Sequence, residues 1–127
     1  MDEFGRTKLQ NAVIDQKIDL VANLLNSGTD INIQDKKGWT ALHFACQSYN
    51  FQISELLINK GADVNIQDSD GNSPLFRATF ECKNNSGELI RFLIQNGANP
   101  NLQNNHGVSP LKLAERIANY DVLQYFE

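Results

Sequence analysis

His43 and Cys46 are the first residues in this 127-residue chain whose types and spacing invite chemistry. Three positions apart, they share one face of any helix, and an imidazole beside a thiolate is half of a zinc site. No third or fourth ligand follows nearby, since His106 and Cys82 stand far along the chain. In "DSDGNSP", Asp68, Asp70 and Asn72 alternate like the opening of a calcium loop. That loop needs glycine at its sixth position and glutamate at its twelfth, where Ser73 and Thr79 stand instead. Asn84 opens an "NNS" sequon, which is idle without a secretory signal. Two cysteines, Cys46 and Cys82, make no disulfide framework. There is no phosphate-cradling glycine loop, nucleophile elbow or Ser/His/Asp set. The expectation is a protein without a catalytic centre, metal or cofactor.

The bulk composition narrows the partners. Eleven basic against fifteen acidic residues leave a net charge of −4. That balance argues against holding nucleic-acid phosphates by counterion release, and favours a basic or mixed-charge protein partner. No apolar run reaches the ~20 residues that a membrane span requires. The N-terminus "MDEFGRTKLQ" lacks a charged-then-apolar signal, so a cytoplasmic location is expected.

The candidate residues sit inside a repeat, and the repeat must position them. Gly5, Gly38, Gly71 and Gly107 are spaced 33, 33 and 36 apart. Thr7, Thr40, Ser73 and Ser109 keep the same spacing, as do Leu9, Leu42, Leu75 and Leu111, and Ala12, Ala45, Ala78 and Ala114. A second motif runs in phase: "LLNSGTDINIQ", "LLINKGADVNIQ" and "FLIQNGANPNLQ". The hydroxyl residues predict helix N-caps, with Pro74 and Pro110 following at the first helical position. Leu and Ala, three apart, line one face of that short helix. A second helix follows, with i,i+4 apolar pairs Leu20/Leu24, Val21/Leu25, Ile53/Leu57 and Ile90/Ile94. Gly28, Gly61 and Gly97 close it, and an extended stretch leads to an Asp-x-x-Gly turn. Each unit is two short helices plus a hairpin-like finger, and no unit buries its apolar face alone.

With "GWTALHFA", "GNSPLFRA", "GVSPLKLA" and "LLINKGADVN" on this period, the sequence resembles the ankyrin repeat family over nearly its whole length. The resemblance implies an all-α repeat solenoid, an ankyrin-type stack of helix-turn-helix units with β-hairpin-like fingers. The chain then reads as one domain, 1–127, with units of approximately 2–34, 35–67, 68–103 and 104–127, the last truncated. The first unit departs from the family pattern with "TKLQ", and only His43 keeps the family's usual structural histidine. Asn32, Asn65 and Asn101 stand where ankyrin proteins resemble substrates of an asparaginyl hydroxylase. Their own chemistry predicts a side chain bonded to its own turn. Unit three carries three extra residues within "FECKNNSGE", at the turn joining its helices. These make either a longer polar loop or, from Cys82 to Ser86, part of a binding surface.

The positions free to vary carry whatever this protein recognises. The resemblance implies a non-enzymatic protein-protein interaction module, a monomer when free, whose finger tips and inner helices form a concave groove. On that face stand Glu3, Phe4 and Arg6 in unit one, and Lys36, Lys37, Trp39, Gln47, Ser48 and Tyr49 in unit two. Units three and four add Ser69, Asp70, Asn72, Phe80 and Glu81, then Asn105, His106, Val108 and Arg116. Trp39, the single tryptophan, faces either a partner or the neighbouring finger. Lys36 and Lys37 beside Asp68 and Asp70 predict adjoining positive and negative zones. Two alternative roles stand beside this one. A small acidic chain suits a stand-alone inhibitor or immunity protein that neutralises a toxin or enzyme. Tyr120, Tyr125 and Phe126 suit the unsealed end of a fragment of a longer scaffold.

Overall fold

Four hydroxyl caps start four short helices. Thr7, Thr40, Ser73 and Ser109 precede α1 (Lys8–Ile14), α3 (Ala41–Gln47), α5 (Pro74–Cys82) and α7 (Pro110–Arg116) in the computed structural model. Each cap oxygen accepts from the backbone N–H three residues on, a bond worth about 1 kcal/mol per helix. The structure describes residues 1–83, 85–117 and 120–127. Asn84 and its sequon lie outside the described residues, as does the Tyr120 side chain.

These helices pack in a row, α1 on α3, α3 on α5 and α5 on α7. The contact is close because Ala12, Ala45, Ala78 and Ala114 face it, all at 3% exposure or less. A second row, α2 (Ile18–Asn26), α4 (Phe51–Asn59) and α6 (Glu88–Gln95), folds back on the first. Val21, Leu25, Ile53, Leu57, Leu89, Ile90 and Leu93 fill the core between the rows. Two of the expected apolar pairs do not face inward as pairs. Leu20 is 43% exposed, and Leu24 and Ile94 lie only half-buried at the core edge. Adjacent helical positions diverge by about 100°, so once Val21 turns inward Leu20 cannot.

Part of the insertion in the third unit lengthens α5 to nine residues, against seven in α1 and α3. The loop beyond it is tied down by Tyr49, whose hydroxyl donates to the Ser86 carbonyl at 2.6 Å and lies 3.4 Å from Cys82 Sγ. Tyr49→Phe should cost about 1 kcal/mol of stability, read as a lower urea midpoint at unchanged slope.

After α7 the expected α-helix is replaced by a 3-10 helix, Tyr120–Phe126, packed on α6 and α7. This tighter winding rises about 2.0 Å per residue, so a short segment spans more length than an α-helix would. Val122 is fully buried, and Tyr125 and Phe126 are half-buried against the core. The Tyr125 ring lies so close over Gly87 that a Cβ there would stand inside it, and the Arg91 guanidinium lies 4.9 Å from the ring centre. Two of the three aromatics expected to mark an unsealed end therefore pack against the stack.

Candidate functional site

The fingers repeat one piece of local chemistry four times. Oδ1 of Asp2, Asp35, Asp68 and Asn104 each accepts from the backbone N–H two and four residues on, at 2.9–3.0 Å. The main chain closes the same turn, as in Asp35 N to Trp39 O and Gly38 N to Asp35 O, both 2.9 Å. Among the described residues no β-strand forms. Neighbouring fingers meet through single main-chain bonds: Lys36 N to Phe4 O, Ser69 N to Lys37 O and Asn105 N to Asp70 O. Glutamine side chains complete the stitching, Gln34 Nε2 reaching Gln67 O and Gln67 Nε2 reaching Gln103 O.

Two of the three asparagines expected to bond their own turns, Asn32 and Asn65, bridge units instead. Asn32 Oδ1 accepts from Asp63 N, and Asn65 accepts from Asn99 N while donating to Gly97 O. The aspartate or asparagine two residues earlier, Asp30, Asp63 or Asn99, already caps the local turn. That leaves the Asn32 and Asn65 amides free for the neighbour.

His43 is fully buried and locks the second unit to the third. Its Nε2 lies 2.9 Å from the Asn72 carbonyl, so it carries the proton and donates. Nδ1 then accepts from the Thr40 backbone N–H and hydroxyl. Desolvation holds the imidazole below its ordinary pKa, opposed by the Asn72 carbonyl and the charges of Asp68 and Asp35. Both nitrogens are spent, so the His43–Cys46 pair is no ligand set. Burial also pushes the Cys46 thiol up to about 12, which leaves it unreactive at neutral pH. Gln10 does for the first unit what His43 does for the second. Its amide donates to Ile33 O and Trp39 O, and its Oε1 accepts from Thr7 N. The departure "TKLQ" therefore keeps the cross-link while changing the side chain. Among the described residues, no three or more His, Cys, Asp or Glu gather as a metal site.

Between fingers and first helices runs a ladder of rings and guanidinium groups. Arg6 lies 4.6 Å from the Phe4 ring and 5.3 Å from Phe44. Phe44 meets Trp39 at 4.9 Å, and Trp39 meets His43 at 5.7 Å. Arg77 continues the series, 5.0 Å from Trp39 and 5.5 Å from Phe80. Asp35 lies 3.8 Å from Arg6, and Glu81 lies 3.8 Å from Arg77. A stacked guanidinium keeps its charge while its flat face is covered. The ladder is thus a half-apolar, half-cationic strip crossing three units, from the first two fingers onto α3 and α5. Phe4 and Phe80 stand at its ends, 51% and 49% exposed.

The expected groove residues divide according to this geometry. Phe4, Arg6, Trp39, Phe80 and Glu81 belong to the strip or its ion pairs. Glu3, Lys36, Lys37, Gln47, Ser48, Ser69, Asp70, Asn105, His106 and Arg116 are exposed around the fingers and inner helices, and Val108 is half-buried. Asn72 is 9% exposed and works inside the stack, its Oδ1 accepting from Asn104 Nδ2. Tyr49 is likewise engaged, turned by a left-handed backbone (φ 51°) toward the insertion. Asp68 is buried by its turn, which leaves Asp70 as the exposed negative charge of that finger. Trp39 packs on its own and the next unit's first helix, beside Phe44 and Arg77. Its ring rests on the neighbouring helices yet remains half-exposed.

Phe44 and Arg77 were not anticipated. They hold one register position, six beyond the finger glycine, filled by Asn11 and Leu113 in the other units. Free variation at a fixed phase was the signal, masked because both positions read as ordinary helix interior.

Capped first helices, glycine-ended second helices and laterally stitched fingers define a stacked-repeat protein, with some of its varied positions on one strip. The chain belongs to the ankyrin repeat family, matching the three-copy ankyrin repeat model over residues 9–104 and the many-copy model over 82–127. Ankyrin repeats are generally protein-protein interaction modules. Inversin of Gallus gallus is 33% identical over 78 residues, 61% of this chain and 7% of that protein. SMC5-SMC6 complex localization factor protein 1 of Bos taurus is 36% identical over 76 residues, 58% of this chain and 7% of that protein. Notch-regulated ankyrin repeat-containing protein A of Danio rerio is 44% identical over 41 residues, 32% of this chain and 37% of that protein. The similarity thus spans a small part of the longer relatives. No helix among the described residues is long and apolar enough to cross a membrane.

Proposed function

We propose that this chain is a non-enzymatic binding module that docks a partner protein against its finger tips and first helices. In this reading 1–127 is one domain of four units, 2–34, 35–67, 68–103 and 104–127. The observation that carries the reading is the Phe4–Arg6–Phe44–Trp39–Arg77–Phe80 strip. Aromatic rings and arginines that are half-covered by the scaffold, with a polar surround, have the make-up of interface hot spots. They are held by neighbouring units, so little ordering is lost on docking.

The end of the strip separates binding from folding. Phe80 is 49% exposed and fills no cavity in the stack. Phe80→Ala should weaken binding of a partner isolated from the native lysate by about tenfold or more, while changing stability by less than about 0.5 kcal/mol. Titration calorimetry beside a melting curve reads both. Wild-type affinity for Phe80→Ala and Trp39→Ala alike would remove the strip as the site.

A further inference from the structure

Resting on that reading, we infer that the strip anchors a single carboxylate, an Asp or Glu side chain carried by the partner on an otherwise neutral or basic segment. The anchor is a recess of about 150 Å³ lined by Arg6, Asp35, Lys37, Trp39, Phe44 and Gln47. At about 30 Å³ of liquid per water, it holds about five waters, which is room for a carboxyl group with one or two methylenes.

Its charges are unbalanced. Asp35 commits Oδ1 to the backbone N–H groups of Lys37 and Trp39, both at 2.9 Å. Its Oδ2 lies 3.8 Å from Arg6 Nε, beyond hydrogen-bond reach, and the Asp35 side chain is only 4% exposed. Arg6 Nε is buried with no hydrogen-bond partner among the described residues. Lys36 and Lys37 are exposed, and neither forms an ion pair with a described residue. Against one carboxylate, with Oδ1 spent on the finger and Oδ2 paired loosely with Arg6, the recess therefore sets a guanidinium and an ammonium, with a second ammonium adjoining. Trp39 and Phe44 form its apolar wall, which lowers the local dielectric and strengthens a short charge pair.

The chain as a whole works the other way. Its net charge of −4 disfavours a strongly acidic partner at long range. A lone carboxylate on a neutral or basic segment satisfies both fields. Phe4 and Phe80, exposed at the two ends of the strip, add the expectation of apolar residues flanking that acid.

A displayed library of random peptides tests this with the full chain as bait. Wild-type protein should select peptides with Asp or Glu beside an aromatic or large aliphatic residue. A synthetic peptide from that pool should bind about tenfold more weakly when its acid is replaced by the amide, and similarly to Arg6→Gln/Lys37→Gln protein. Lys37→Gln alone, an exposed change that leaves the stack untouched, should weaken it about threefold and flatten its salt dependence. Peptides lost on Trp39→Ala but indifferent to all three charge removals would overturn the carboxylate and leave the groove standing. Peptides indifferent to Trp39→Ala as well would overturn both. A library without enrichment counts against the anchor, and so does a pool selected for phosphorylated or uncharged residues.

Discussion

Gly71→Ala is expected to lower the melting temperature by about 10 °C. Two costs coincide there. Gly71 has φ +82°, where an L side chain meets its own carbonyl at roughly 1–2 kcal/mol. The added Cβ would also stand 2.7 Å from Asn105 N and 2.9 Å from Asn104 Cα, both backbone, which has no rotamer to yield. Relief requires parting the third and fourth fingers, at roughly 1–3 kcal/mol for overpacking, and breaks the Asn105 N to Asp70 O bond. The sum is about 3–4 kcal/mol. Gly61→Ala supplies the control. Gly61 has φ +97° but nothing within 4 Å of the added carbon, so only the torsional cost of roughly 1–2 kcal/mol applies. Thermal melts of the two variants should differ by several degrees, and equal losses would show that finger contact contributes nothing.

His43→Ala should cost about 3–4 kcal/mol, adding a buried cavity to the loss of partners for the Asn72 carbonyl and the Thr40 N–H. The same residue should confer a pH dependence that its sign makes diagnostic. Burial lowers the folded pKa below the ordinary 6.5. As pH falls through 6.5 the unfolded chain takes up a proton that the folded chain refuses, so unfolding is favoured. The contribution is fully present above pH 6.5 and is lost progressively down to the lowered folded pKa. The slope in that window approaches about 1.4 kcal/mol per pH unit. Urea midpoints of wild type should fall across it, and His43→Gln should remove that part of the fall. A wild-type stability that rose on acidification through the window would mean the imidazole is held charged.

Much of the scaffold is legible in the sequence because stacking repeats each requirement in phase. Thr40 is recognised as a cap less by its own type than by Thr7, Ser73 and Ser109 at matching positions. The same logic identifies Ala45 as the thin contact between helices. What repetition does not specify was harder to read. Leu20 and Val21 are both apolar, and only packing against α1 and α4 selects Val21 for the core. Gln10 looked like a departure from the pattern, yet an amide can reach the next finger as an imidazole does. The 3-10 winding of Tyr120–Phe126 answers to α6 and α7 rather than to local propensity. At the candidate site, single residues such as Trp39 and Phe80 stood out, but their joining did not. Arg77 sits between them, and the distances to both rings depend on how α3 and α5 lie together.

The central claim is that recognition lies on the strip between fingers and first helices. Hydrogen–deuterium exchange of the full chain, alone and saturated with the partner protein from the native lysate, tests it most directly. Slowed exchange should appear in the first three fingers, around Phe4–Arg6, Lys36–Trp39 and Ser69–Asn72, and at the exposed ends of α3 and α5, with α2, α4 and α6 unchanged. Protection confined to α2, α4 and α6, with the finger amides exchanging as in the free chain, would contradict it.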